Sequence, residues 1–137
     1  MSLRSLSRFV ALVVLFAALS FESRAQLGWL EQESEHFEVV YRDGHAHLVP
    51  HIIESSEQAL ARLCSLFNYT PSEKITINTY DVNDWGAGAA TTVPRNYIWL
   101  DLSPLEPGYE NIPYTERIRW LLTHELVHVV VNDLATN

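Results

Sequence analysis

Three residues near the end of the sequence have types and a spacing that suit metal-dependent chemistry. His124, Glu125 and His128 form an H-E-x-x-H motif inside a segment with helical character. At about 100° per residue, the two histidines lie about 40° apart around the helix axis and about one turn apart along it. Both imidazoles can therefore reach one metal ion, and Glu125 lies at the edge of the same face.

Zinc is the metal whose chemistry these residue types fit. Zinc binds neutral imidazole nitrogens at about 2.0–2.1 Å and keeps one position open for water in its catalytic sites. A carboxylate beside that position can take a proton from the water. The composition of the chain gives roughly 0.02 chance matches to the motif. The motif therefore predicts a zinc site with Glu125 next to it.

The helix around the motif is apolar on nearly every side. We therefore expect His124, Glu125 and His128 to be buried, where a metal ion is the simplest partner for all three polar groups. The alternative is a pair of core histidines bonded to backbone carbonyls, with Glu125 at the surface. The apolar residues are Ile118, Leu121, Leu122, Leu126, Val127, Val129, Val130 and Val131.

Other elements of the fold must position this helix, and the hydrophobic pattern along the chain predicts them. Some segments have the period of a strand and others have the period of a helix. Alternation with period two predicts strands, and apolar residues three and four apart predict helices. This order predicts a small mixed β-sheet with packed helices, an α+β fold whose last helix carries the motif. The predicted strands are residues 36–42, 74–80 and 97–102, the predicted helices are residues 47–67 and 116–133, and residues 81–95 have a loop composition.

Residues 1–25 have the pattern of a secretory signal peptide. Arg4 and Arg8 precede an apolar run over residues 9–19, and small residues occupy the positions that a signal peptidase reads. The apolar run is too short for a membrane-spanning helix, which needs about 20 residues. We therefore predict cleavage before Gln26, export to the periplasm or the extracellular space, and no stable membrane anchor after cleavage.

The composition fits a globular domain and excludes some classes of function. The 137 residues are 47% hydrophobic and include 9 Lys and Arg against 17 Asp and Glu, with one cysteine. A net charge of −8, which becomes −10 when the signal peptide with its three arginines and one glutamate is removed, argues against binding to nucleic-acid phosphates. A single cysteine cannot form an intramolecular disulfide framework. We expect no nucleic-acid partner.

The motif and its surroundings resemble the zincin metallopeptidases. The metzincin branch would require Gly in place of Val131 and His in place of Leu134, so the resemblance is to the gluzincin branch. The rest of the chain is similar to the peptidase MA-like domains of secreted bacterial proteins. The similar segments are E-H-F-x-V-x-Y at 35–41, a Gly/Ala-rich loop at 86–90, N-x-I-x-L at 96–100 and L-L-x-H-E-x-x-H at 121–128.

The resemblance implies a zinc-dependent peptidase that acts on a peptide or protein substrate. His124 and His128 would be the zinc ligands, and Glu125 would be the general base that deprotonates a metal-activated water. Residues 26–137 would be the N-terminal part of a zincin-like domain, with the third ligand, a Glu on a later helix, beyond Asn137. We therefore expect this chain to be inactive by itself.

The resemblance also implies a role for the sheet and further sequence downstream. Residues 97–102 and 86–93 would form the outer part of the sheet, whose edge pairs with an extended substrate backbone. Residues 86–93 could equally be an ordinary surface hairpin. A downstream domain such as a β-propeller is compatible with the resemblance.

Two other interpretations of the motif stay open. The protein could be a non-catalytic zincin-like module for binding or assembly, although the intact Glu125 argues against a decayed site. Alternatively, residues 26–137 could be complete, with His124, His128 and either water or Asp133 holding the zinc. That arrangement would lack the third protein ligand that catalytic zinc ordinarily has.

Overall fold

The structure is a computed structural model that describes residues 28–84, 86–104 and 116–136. The predicted signal peptide lies outside these residues. Within them, five strands form one sheet and two helices pack on it. The strands are β1 (Trp29–Glu33), β2 (Phe37–Arg42), β3 (Ile75–Tyr80), β4 (Gly88–Thr91) and β5 (Tyr97–Asp101), and the helices are α1 (Val49–Phe67) and α2 (Arg117–Thr136).

The sheet is mixed, with parallel strands in its centre and antiparallel strands at its edges. The strand order is β1-β2-β3-β5-β4. Strands β2, β3 and β5 are parallel neighbours, whereas β1 pairs antiparallel with β2 and β4 pairs antiparallel with β5. Parallel neighbours need a long crossover connection, which α1 supplies between β2 and β3.

The hydrophobic core lies between one face of the sheet and both helices. The alternating residues of the central strands point to this face, so Phe37, Ile77 and Leu100 are fully buried there. From α2, Leu122 and Leu126 are fully buried in the same core. The period-two pattern predicted from the sequence therefore decides which sheet face the helices cover.

Polar contacts at both ends fix α2 beside α1. His51 Nε2 near the start of α1 lies 3.0 Å from Glu116 Oε2 just before α2. Near the helix ends, the Tyr69 hydroxyl donates a hydrogen bond of 2.8 Å to Asp133 Oδ2. The helices therefore run side by side in the same direction. Arg117 also donates hydrogen bonds to backbone carbonyls at the end of β5, which anchors the first turn of α2 to the sheet.

Helix α2 begins with a capping carboxylate. Glu116 accepts hydrogen bonds from the backbone N–H groups of Ile118 at 2.9 Å and Arg119 at 2.7 Å. These are two of the N–H groups that a helix start leaves without an intrahelical partner. The cap therefore fixes where the helix starts, and with it the position of the H-E-x-x-H motif two turns later.

The predicted α+β class is confirmed, with differences in detail. Strand β1 was not predicted, and α1 begins at Val49 after a 3₁₀ helix (Asp43–Leu48) rather than near residue 47. Helix α2 extends to Thr136, beyond the predicted end. Neither helix in the described ranges is long and apolar enough to cross a membrane.

Candidate metal centre

The two histidines of the motif point their Nε2 atoms at a common position beside α2. His124 Nε2 and His128 Nε2 lie 3.3 Å apart. Two nitrogens bound to one tetrahedral zinc at the usual bond length are about 3.3–3.4 Å from each other. This separation therefore matches that of two ligands of one zinc ion, and it is also within hydrogen-bonding distance.

The exposure of the motif differs from the expectation. His124 and His128 are exposed, and only Glu125, with 5% of its surface accessible, is buried. The prediction that the histidines are buried is wrong, because the core covers only the arc of α2 that includes Leu122, Glu125 and Leu126. The alternative of two core histidines with an exposed Glu125 is wrong as well.

Trp120 packs beside the histidine pair. Its ring stacks on the His124 imidazole with centroids 5.8 Å apart, and the His124 and His128 rings meet edge to face at 5.0 Å. The three rings follow each other at positions i, i+4 and i+8 of one helix face. Trp120 was not predicted as part of the site, although its helical spacing from His124 and His128 is a signal that the sequence contains.

Glu125 is buried beneath the first residue of strand β4. A Cβ atom added to Gly88 would lie 2.6 Å from Glu125 Oε1 and 2.8 Å from its Cγ. Contacts that short do not occur between real side chains, so only glycine permits this approach of β4 to α2. The carboxylate is thus held between the helix and the edge strand, one residue from His124.

The environment of Glu125 suits a proton acceptor. Burial raises the pKa of its carboxyl group above the usual value, and the positive charges that His124 and His128 can carry oppose this rise. A carboxylate with a raised pKa holds a transferred proton more firmly than an exposed one. The arrangement therefore favours proton transfer at Glu125.

Strand β4 is the outermost strand on this side of the sheet, as the resemblance implied for residues 86–93. It also forms a hairpin with β5, so its place at the sheet edge is confirmed, while its pairing with a substrate stays a prediction. The Asp101 N–H group donates a hydrogen bond of 2.9 Å to the Ala87 carbonyl oxygen. Along an antiparallel ladder, hydrogen-bonded residue pairs alternate with pairs that form no hydrogen bond to each other. The main-chain groups of Gly88 and Ala90 therefore point away from β5, towards the outer edge.

Among the described residues, no third metal-binding side chain joins the two histidines. In the parts of the chain that the structure describes, no group of three or more His, Cys, Asp or Glu side chains could hold a metal ion. Asp133, the alternative third zinc ligand, accepts the hydrogen bond from Tyr69. A complete site needs a donor from elsewhere.

The chain was compared with known protein families, with curated proteins and with solved structures. No family model, curated protein or solved structure matches it. The resemblance to zincins therefore rests on the motif and the segments quoted above.

Proposed function

We propose that the protein is an exported, zinc-dependent peptidase of the gluzincin type with a zincin-like fold. The observation that supports it most is the 3.3 Å separation of His124 Nε2 and His128 Nε2, next to the buried carboxylate of Glu125. Two imidazoles at the spacing of zinc ligands, with a carboxylate one residue away, are the parts that metal-assisted hydrolysis requires.

Each residue of the motif has one task in this proposal. His124 and His128 would hold the zinc, which would supply Lewis-acid chemistry and lower the pKa of a water molecule. Glu125 takes the proton from the attacking water and can return it to the nitrogen of the cleaved peptide bond. Trp120 restricts the orientation of the His124 ring, because the two rings stack.

The edge of β4 is the proposed site for the substrate backbone. Gly88 and Ala90 direct their main-chain N–H and C=O groups outward, and an extended peptide can pair with such an edge. Gly88 also contacts Glu125, so a peptide aligned along β4 would pass close to the general base. Main-chain pairing favours a peptide or protein substrate over a small molecule.

The third zinc ligand in this proposal comes from outside the described residues. The resemblance implies a Glu on a later helix, and it is compatible with a downstream domain such as a β-propeller. Export follows from the predicted signal peptide. Each of these parts can be tested separately from the histidine pair.

Hydrolysis of a peptide library by the full-length protein tests the proposed function. We expect cleavage that stops when the metal is chelated and returns when zinc is added. Zinc binding with no cleavage of any peptide would instead favour a non-catalytic zincin-like module for binding or assembly. Cleavage that continues after complete removal of the metal would contradict both.

A further inference from the structure

A second site lies in the groove between α1 and α2. A cavity of about 50 Å³ opens there, lined by Ser55, Ala59 and Arg62 from α1 and by Arg119 and Thr123 from α2. None of its lining residues belongs to the H-E-x-x-H motif. The volume is room for roughly three or four water-sized groups, which is the size of one compact oxyanion.

The floor of this cavity contains a buried hydroxyl group without a partner. Ser55 has none of its surface accessible, and its Oγ atom forms no hydrogen bond with any described residue. A buried hydroxyl is costly to leave unpaired, so most find an acceptor. A group that accepts a hydrogen bond inside the cavity would remove that cost.

The rim of the cavity carries two positive charges from different helices. Arg62 and Arg119 both line it, and neither forms an ion pair with another described residue. Carboxylates nearby are already engaged, since Glu54 accepts a hydrogen bond from Gln58 and Glu116 caps α2. Two guanidinium groups at one cavity repel each other unless an anion lies between them.

We propose that this groove binds a compact tetrahedral oxyanion of the phosphate class. Ser55 donates a hydrogen bond from the floor, and Arg62 and Arg119 neutralise the charge from the rim, where planar guanidinium groups suit paired oxygens. The site is independent of zinc and of peptidase activity. Binding of an anion there would stabilise the folded state, although the chain has a net charge of −8.

A titration of the full-length protein with inorganic phosphate tests the charged rim. Calorimetry at an ionic strength held constant with sodium chloride should show saturable binding with one phosphate per chain. Arg62→Gln and Arg119→Gln should each weaken it by at least about tenfold, since each removes a charge-assisted hydrogen bond. Arg95→Gln is the matched control, because Arg95 is exposed and does not line the cavity. Equal loss in the control, or no saturation, would overturn the proposal.

Ser55→Ala tests the floor without disturbing the charges. Ser56 is equally buried and equally without a partner, but it does not line the cavity, so Ser56→Ala is the matched control. We expect Ser55→Ala to weaken phosphate binding several-fold while the far-ultraviolet circular dichroism stays unchanged, and Ser56→Ala to leave binding intact. Equal phosphate affinity in both variants would show that Ser55 does not contact the anion and would overturn the assignment of this cavity.

Glycerol 3-phosphate, titrated in parallel, separates a free anion from a phosphate ester. Inorganic phosphate should bind more tightly, because esterification occupies one of the four oxygens that can accept hydrogen bonds from Ser55, Arg62 and Arg119. Tighter binding of the ester would contradict the assignment of a free, compact anion.

Discussion

Gly88 on the edge strand and Glu125 on helix α2 are in direct contact, at a distance that leaves no room for a side chain on residue 88. This contact sets how closely β4 approaches helix α2. It also places the outward main-chain groups of Gly88 beside the carboxylate that we propose as the general base. The geometry of the site therefore depends on a residue that carries no functional group.

Gly88→Ala should reduce peptide hydrolysis. The new Cβ would lie within 2.9 Å of Oε1, Cγ and Cδ of the buried Glu125 side chain, so the carboxylate must shift from its position. A displacement of about 1 Å in a catalytic group can lower the rate about 100-fold. Thermal unfolding and kcat/KM would be measured on the same samples.

Gly44→Ala is the control for this substitution. A Cβ on Gly44 meets nothing within 4 Å, so this variant should keep both its activity and its stability. If Gly88→Ala retained full activity, the contact with Glu125 would have no role in positioning the base.

Substitution of His128 tests the metal site. His128→Asn removes one of the two imidazoles whose nitrogens lie 3.3 Å apart. The loss of a hydrogen-bond partner behind a metal ligand typically lowers metal affinity by about 10- to 100-fold, so the loss of a ligand should cost at least about 100-fold. Competition with a zinc-sensitive dye measures the affinity of the full-length protein.

His47→Asn is the matched control for the metal site, because His47 is exposed and lies outside the motif. The zinc affinity of the His47→Asn variant should equal that of the unaltered protein. An unchanged affinity in His128→Asn as well would place the zinc elsewhere.

The stability of α2 should depend on pH through Glu116. Burial by itself would raise the pKa of Glu116, but hydrogen bonds from the backbone of Arg119, from His51 and from the backbone of Ile118 outweigh it and hold the pKa below the usual 4.5. The ionised carboxylate therefore stabilises the fold above that pH. This contribution is lost as the pH falls through the lowered pKa of the folded state.

Glu116→Gln removes the charge and keeps the shape of the side chain. We expect it to lower the free energy of unfolding by roughly 1 kcal/mol at pH 7, a modest value because the side chain is partly exposed. The difference from the unaltered protein should shrink as the pH falls below 4.5 and through the lowered pKa of Glu116, as measured by urea unfolding. The same substitution at exposed Glu73 should change stability by less than about 0.5 kcal/mol. A difference at Glu116 that stays constant with pH would contradict the assigned charge effect.

The sequence predicted the elements whose hydrophobic periods are strong. Phe37 and Val39 lie on either side of Glu38 and are fully buried in β2, and the apolar spacing of α1 likewise matches its buried face. Strand β1 (Trp29–Glu33) escaped prediction because four of its five residues are exposed at the sheet edge, so it has no alternating pattern to detect.

The site was predicted in its residues but not in its surroundings. Helical spacing was enough to bring His124 and His128 together. It could not show which side of an apolar helix the sheet covers, so the burial of the histidines was predicted wrongly. The contact between Gly88 and Glu125 depends on how β4 pairs with β5 and how α2 lies on the sheet, and neither is encoded in local sequence.

Peptide hydrolysis by the full-length protein and by Glu125→Gln, with the zinc content of both measured, tests the central claim most directly. Glutamine keeps the shape of the side chain but cannot accept the proton, and a general base contributes about 10²- to 10⁴-fold to the rate. We predict that Glu125→Gln retains its zinc and loses at least about 100-fold in kcat. Equal rates for the two proteins at equal zinc content would contradict the proposed mechanism.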